Sequence, residues 1–161
     1  MLDHFIRLTE PRWLLPEPLT ILVLTNILKK LIPLFVTNLI DNKKVPLYGD
    51  GMNVRDWIYV ADNCTAIDLV LHRGKIGEIY NIGGGVEKSV SIWSEFSLIL
   101  KNALNKELKY SFKDWRPGDQ KIYVSDTRKI KNQLGWKPIV SVEKGVSKLA
   151  NWVSENPNLF L

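Results

Sequence analysis

The stretch Tyr48-Gly49-Asp50-Gly51-Met52-Asn53-Val54-Arg55-Asp56-Trp57-Ile58-Tyr59-Val60 is a glycine turn that runs into a strand carrying one arginine among apolar neighbours. Gly49 and Gly51 can take positive φ and let another group approach the backbone closely. Arg55 offers a planar fork of donors suited to phosphate. In an apolar, aromatic strand it is costly to bury without an anionic partner. Two readings stand on spacing alone: a phosphate ligand, or a structural arginine paired with Asp56 or Asp62. A second arginine stands in Trp115-Arg116-Pro117-Gly118-Asp119-Gln120, where Pro117-Gly118 fixes a turn and Arg116 projects from a rigid loop. Either motif is weak alone. Two arginines on glycine turns, in a chain without a catalytic dyad, together point to a diphosphate site.

Other chemistries are disfavoured by what the chain holds. His4 and His72 are its two histidines and lie far apart in sequence, so no Ser/His/Asp triad can be built on them. Cys64 is the one cysteine, which rules out an intrachain disulfide and fits a reducing compartment. No Cys/His cluster has zinc spacing. Cys64 reads as a small buried residue of a helix rather than a nucleophile. Gly83-Gly84-Gly85 follows a strand and precedes a helix, as a phosphate loop does, yet neither GxGxxG nor GxxxxGK[ST] occurs. A flexible strand-end turn explains those glycines better. Asn81, just before them, sits at the carboxyl end of a strand, where ligands of open α/β sheets collect.

These residues need elements to position them. With 161 residues the chain is large enough for one domain with a real core. The net charge of +5 favours anionic ligands in general, but the lysines are scattered and no nucleic-acid motif accompanies them. No apolar run reaches the length of a membrane span and no secretory pattern opens the chain, so a cytoplasmic protein is expected. A strand is expected at Thr20–Leu24 and a helix at Leu31–Leu39, with Pro33 tolerated in its first turn. Asp41–Lys44 reads as a polar turn, and Val45–Tyr48 and Asn53–Val60 as strands. Val60, Cys64, Ile67 and Leu71 share one helical face, and Gly74 ends that helix. Glu78–Ile82 is the next strand. Ser91 then caps a helix striped by Ile92, Phe96, Ile99, Leu100 and Ala103. Leu108–Phe112 is a strand. Asp126 caps a short helix ending at Leu134-Gly135, and Ser141 caps a last helix with Val142, Val146, Leu149 and Val153 inward. The alternation makes the class α/β. Met1–Pro18 is the weak region; Arg7–Pro18, with three prolines and no period, is expected to be poorly ordered.

Read in order, Leu31-Ile32-Pro33-Leu34-Phe35-Val36, Val45-Pro46-Leu47-Tyr48-Gly49-Asp50-Gly51, Val54-Arg55-Asp56-Trp57-Ile58-Tyr59-Val60 and Tyr80-Asn81-Ile82-Gly83-Gly84 closely resemble the C-terminal part of dTDP-glucose 4,6-dehydratases. These are nucleotide-sugar enzymes of the extended short-chain dehydrogenase/reductase group. Arg116-Pro117-Gly118-Asp119-Gln120 and Leu134-Gly135-Trp136-Lys137-Pro138 continue the resemblance, which runs from Lys29 to Val153. It implies the C-terminal substrate-binding portion of an extended Rossmann-type enzyme, an incomplete sheet with several helices. By position it implies that Lys30 and Leu31 line the nucleotide base pocket, that Pro46 and Tyr48 pack against the base, and that Arg55 and Arg116 bind the diphosphate. Asn81 matches a position of the same pocket.

The resemblance also has gaps. The dehydratases usually read Arg-Pro-Gly-His-Asp where this chain has Asp119-Gln120, and Asp119 cannot donate as a histidine would. That segment, with Tyr123-Val124-Ser125-Asp126, is more similar to CDP-paratose 2-epimerases. The family's Gly-rich cofactor fingerprint and its Tyr-x-x-x-Lys base pair do not occur here. Asp3-His4-Phe5-Ile6-Arg7 resembles the segment after that lysine. Thr25-Asn26 matches as a remnant of the family's Asn-Tyr-Gly loop, which leaves Asn26 as the candidate cofactor contact. Residues 1–28 are thus expected to be a degraded end of the Rossmann half, and 29–161 the nucleotide-sugar-binding portion. The intact relatives use NAD; this chain is expected to bind none alone, to have no catalytic residue and no metal, and to be inactive by itself. Its expected ligand is a nucleotide diphosphate sugar, with no nucleic acid and no membrane. A separate chain supplying the Rossmann half is compatible with this, whereas a homodimer is doubtful because the relatives' dimer helices lie near the missing half. A nucleotide-sugar epimerase fragment, a non-catalytic nucleotide-sugar binder and a decayed gene product are the alternatives.

Overall fold

A computed structural model describes the backbone of Phe5–Arg7 and residues 31–156 and 159 in full. The strand expected at Thr20–Leu24 and the disorder expected over most of Arg7–Pro18 lie outside these residues. The elements in chain order are β1 (Phe5–Arg7), α1 (Leu31–Ile40), β2 (Val45–Tyr48), β3 (Val54–Asp56), α2 (Val60–Arg73), β4 (Ile79–Asn81), β5 (Ser89–Ser91), α3 (Ser97–Leu104), β6 (Tyr110–Lys113), β7 (Ile122–Tyr123), α4 (Arg128–Leu134) and α5 (Val142–Glu155). One wide helical turn, Ile92–Phe96, leads into α3. The class is α/β, with short strands in three small sheets among the described residues.

The chain divides into two units, each with its own core. The first contains β1 together with Asp56–Ser89 and Val124–Ser141. β1 and β4 pair antiparallel, Phe5 opposite Asn81 and Arg7 opposite Ile79. Ala66 and Val70 of α2, Tyr80 of β4, Ile82, Ile130 of α4 and Trp136 form the core of this unit. Tyr80 is fully buried and its hydroxyl is satisfied: it accepts from Lys75 N at 3.2 Å and donates to Gln133 Oε1 at 3.1 Å. The phase of α2 differs from the expected one. Its buried positions are Asp62, Asn63, Ala66 and Val70, whereas Val60, Cys64 and Leu71 are exposed. Asp62 is inside because its Oδ2 accepts the backbone N–H groups of Ile139 at 3.1 Å and Val140 at 2.9 Å. A carboxylate with two such donors can be buried at tolerable cost. Hydrophobic periodicity carries no trace of that.

The second unit is made of residues 31–55, Val90–Tyr123 and 142–156. α5 packs on α1 and α3. Phe35, Val36 and Leu39 of α1, Phe96 and Leu100, and Val146, Ala150 and Val153 of α5 are buried there, and the Phe35 and Phe96 rings meet at 5.9 Å. Pro33 sits in the first turn of α1, where a missing N–H costs nothing, and Thr37 donates back to its carbonyl at 2.9 Å. β2 runs parallel to β6, Pro46 opposite Ser111 and Tyr48 opposite Lys113. The alternation of β2 is clean. Val45 and Leu47 face the core, and Pro46 and Tyr48 lie half-buried on the other face. β3 stands between β5 and β7, parallel to β7, with Arg55 opposite Tyr123. The strand expected over Asn53–Val60 is shorter than that, because Trp57 leaves the ladder and Val60 opens α2.

Candidate functional site

The site is built around β2, Val54 and Arg55 of β3, and the turn Arg116–Asp119, all within the second unit. Tyr48 ends β2, and Gly49 follows with φ +60 and Gly51 with φ +73. A β-carbon on Gly49 would collide with the indole of Trp115, so the aromatic ring lies flat against the glycine backbone. One residue on, the Arg116 guanidinium stacks over the Tyr48 ring with its carbon 3.5 Å from the ring centroid. That geometry lets a planar cation interact with the ring's negative face while its edge N–H groups stay accessible. Arg116 is exposed, and no carboxylate pairs with it among the described residues. Pro117 and Gly118, at φ +76, then turn the chain, and Asp119 N donates to Arg116 O at 3.1 Å.

The turn delivers Asp119 to Arg55. Arg55 Nη2 donates to Asp119 Oδ1 at 2.7 Å, and Nη1 donates to its own Val54 carbonyl at 2.8 Å. The pair is only part-buried, with about a quarter of each side chain exposed. Asn53 lies two residues before Arg55 in extended chain, hence on the same side. Its Nδ2 donates to Asp119 Oδ2 at 3.0 Å and to Gln120 O at 3.3 Å. Asn53 is 3% exposed, and its Oδ1 has no hydrogen-bond partner among the described residues. Of the two sequence readings of Arg55, the structural one named the wrong acids. Its partner is neither Asp56 nor Asp62 but Asp119. Asp56, adjacent in β3 and so facing the opposite way, accepts from Gly85 N and Ser125 N, each at 3.1 Å, in the first unit.

The structure brings together Pro46, Tyr48, Arg55 and Arg116 of the expected site residues. Leu31 is half-buried at the start of α1 in the same unit. Asn81 belongs to the first unit, where its Nδ2 donates to Asp126 O at 3.3 Å. Lys30 and Asn26 lie outside the described residues. Gly83, Gly84 and Gly85 are buried, and a β-carbon on Gly83 would press on the Asp56 carboxylate at 2.7 Å. One on Gly84 would strike the Trp57 carbonyl. These glycines seat the loop against Asp56 and Trp57 rather than cradle a phosphate. Asn53 and Trp115 were the partners that sequence reasoning did not single out. The i, i+2 relation of Asn53 to Arg55 was the available signal for the first; nothing local marked the second.

Within the first unit, Asp126 is held ionised by Arg128, whose guanidinium lies 2.5–3.1 Å from its carboxylate oxygens, and whose N–H donates to Oδ1 at 3.0 Å. The side-chain bond is the larger cause, and together they lower the Asp126 pKa to about 2. The Lys129 ammonium, 2.6 Å from Glu78 Oε2, lowers the Glu78 pKa in the same way. Both acids are surface groups. Among the described residues no cluster of His, Cys, Asp and Glu could hold a metal ion, and no helix is long and apolar enough to cross a membrane.

Three kinds of comparison place the chain among known proteins. The chain matches the family described as GDP-mannose 4,6 dehydratase over residues 23–149. It is 34% identical over 135 residues to a dTDP-glucose 4,6-dehydratase of Xanthomonas campestris pv. campestris, covering 80% of this chain and 38% of that protein. The crystal structure of dTDP-glucose 4,6-dehydratase from Bacillus anthracis, in complex with NAD, superposes with a TM-score of 0.75 at 39% identity, over 83% of this chain and 41% of that one. UDP-glucuronic acid 4-epimerase from Bacillus cereus, in complex with UDP-glucuronic acid and NAD, does so with a TM-score of 0.74 at 25% identity, over 80% of this chain and 40% of that one. The architecture is that of the C-terminal portion of these extended Rossmann-type enzymes. The chain spans 37–39% of the length of the curated relatives it matches. It belongs to the GDP-mannose 4,6 dehydratase family.

Proposed function

We propose that this chain binds the nucleoside diphosphate part of a nucleotide sugar, as the substrate-holding portion of a dTDP-glucose 4,6-dehydratase-like enzyme. The observation that carries this is the accessible Arg116 guanidinium stacked on Tyr48, on the face of β2 that also presents Pro46. In this reading Arg116 and Arg55 take the diphosphate, Tyr48 and Pro46 pack against the base, and Lys30 and Leu31 complete the base pocket. A guanidinium fixed by a ring and without a carboxylate partner among the described residues loses little freedom on meeting a phosphate, which favours binding.

NAD supplies hydride chemistry in this family when bound. Neither a Gly-rich dinucleotide fingerprint nor a Tyr-x-x-x-Lys pair occurs in this sequence, which spans 37–39% of the length of its curated relatives. No step is therefore assigned to the cofactor, and the chain alone is proposed to bind without turnover. An epimerase of the CDP-paratose type is the second reading. It is favoured by Asp119-Gln120, where the dehydratases usually carry His-Asp.

Calorimetric titration of the chain with dTDP, UDP and CDP, and with their glucose diesters, tests the proposal. Saturable heat is expected with at least one base, and the preferred base separates the two readings. A folded chain that gives none overturns the binding function. NAD-dependent conversion of any of these sugars by the pure chain overturns the inactivity.

A further inference from the structure

The two arginines of the site are not equivalent, and the difference bears on the regulation of the same site, so the inference rests on the binding function just proposed. Among the described residues Arg116 meets only an aromatic face, whereas Arg55 already holds a carboxylate at 2.7 Å. That carboxylate is fixed from three sides. The Pro117-Gly118 turn sets its backbone, Arg55 takes Oδ1, and the buried amide of Asn53 takes Oδ2 at 3.0 Å. The local set Arg55, Arg116 and Asp119 thus carries a net single positive charge rather than two.

We infer that Asp119 is a built-in competitor for Arg55. A diphosphate that reaches Arg55 must displace this carboxylate or share the guanidinium with it, and the repulsion between the two anions weakens binding. Arg55 keeps N–H groups beyond the two committed to Asp119 and Val54, so sharing is sterically open to it. The pair is about a quarter exposed on both sides, within reach of a ligand and partly screened by water. Asp119 is then a residue that sets affinity, and Arg116 makes the first, unopposed contact.

The test is titration of the full chain with dTDP, UDP, CDP and inorganic pyrophosphate, wild type against Asp119→Asn and Asp119→Glu. Asparagine keeps an oxygen for Arg55 and removes the charge. Asp119→Asn is expected to bind about two- to fivefold tighter, the scale of a part-exposed ion pair. Asp119→Glu is expected to bind no tighter than wild type, and thymidine, uridine and cytidine, titrated as uncharged controls, should show no gain in Asp119→Asn. A purely structural Asp119 would instead weaken every ligand in both variants. Equal or weaker diphosphate binding by Asp119→Asn, with a wild type that binds, sinks this inference and spares the binding function. No binding by any form removes both. Should Asp119→Asn fail to fold by circular dichroism, Asp119→Thr, which keeps an acceptor for Asn53, carries the same expectation.

Discussion

Arg55 and Asp119 join at 2.7 Å across sixty-four positions of sequence, and the four-residue turn that begins at Arg116 is what closes that distance. One short loop therefore places both the cation stacked on Tyr48 and the anion that occupies Arg55. Four outcomes follow from this arrangement and from the packing around it.

Arg116→Ala should weaken nucleoside diphosphate binding by about tenfold or more, the scale of a charge-assisted contact. Arg116→Lys should recover only part, because an ammonium keeps the charge and loses the planar fork and the stack on Tyr48. Titration calorimetry reads both. Wild-type affinity in Arg116→Ala would move the phosphate contact elsewhere.

Gly49→Ala and Gly118→Ala should differ sharply in stability. Both positions have positive φ, +60 and +76, so each alanine carries roughly 1–2 kcal/mol of left-handed strain. At Gly118 the added methyl meets open space, whereas at Gly49 it meets Trp115. Urea denaturation is expected to show about 1 kcal/mol lost at Gly118 and more than about 2 kcal/mol at Gly49. Equal losses would mean that Trp115 yields freely.

Asp62→Ala should destabilise the first unit by about 2–4 kcal/mol, since it orphans the buried N–H groups of Ile139 and Val140. Asp62→Asn keeps one acceptor oxygen and should cost less. Chemical denaturation of the two variants checks the order. The reverse order would show that the charge, and not the acceptor, is what matters there.

Acid should weaken the Asp126–Arg128 contact in a defined window. The folded pKa of Asp126 is about 2 against an ordinary 3.8, so its stabilisation is present above 3.8 and is lost as pH falls toward 2. Both groups are exposed, so the effect on melting temperature is small. The wild type is expected to lose more melting temperature than Asp126→Asn between pH 4 and pH 2, about the span of the two pKa values. Parallel curves would show that the pair does not stabilise the fold.

Much of this was legible in the chain itself. The alternation of Val45–Tyr48 placed Pro46 and Tyr48 on the face away from the core. Pro33, the apolar stripe of Phe96 and Leu100, and the positions Val142, Val146 and Val153 fixed helices and their inward faces. Pro117-Gly118 fixed a turn, and the ordered motifs fixed the family. Each of these rests on local geometry, a period of 2 or 3.6 residues or a restricted φ, which a single segment carries within itself. The partners did not follow from sequence. Whether Arg55 met Asp56, Asp62 or Asp119 depended on which loop the fold returned to β3, and adjacent residues of a strand face opposite ways. Cys64 reads as interior by helical spacing and stands outside, because Asp62 and Asn63 were drawn in and rotated the buried face of α2. Burial of a polar side chain depends on donors far along the chain, so only the tertiary structure decides it.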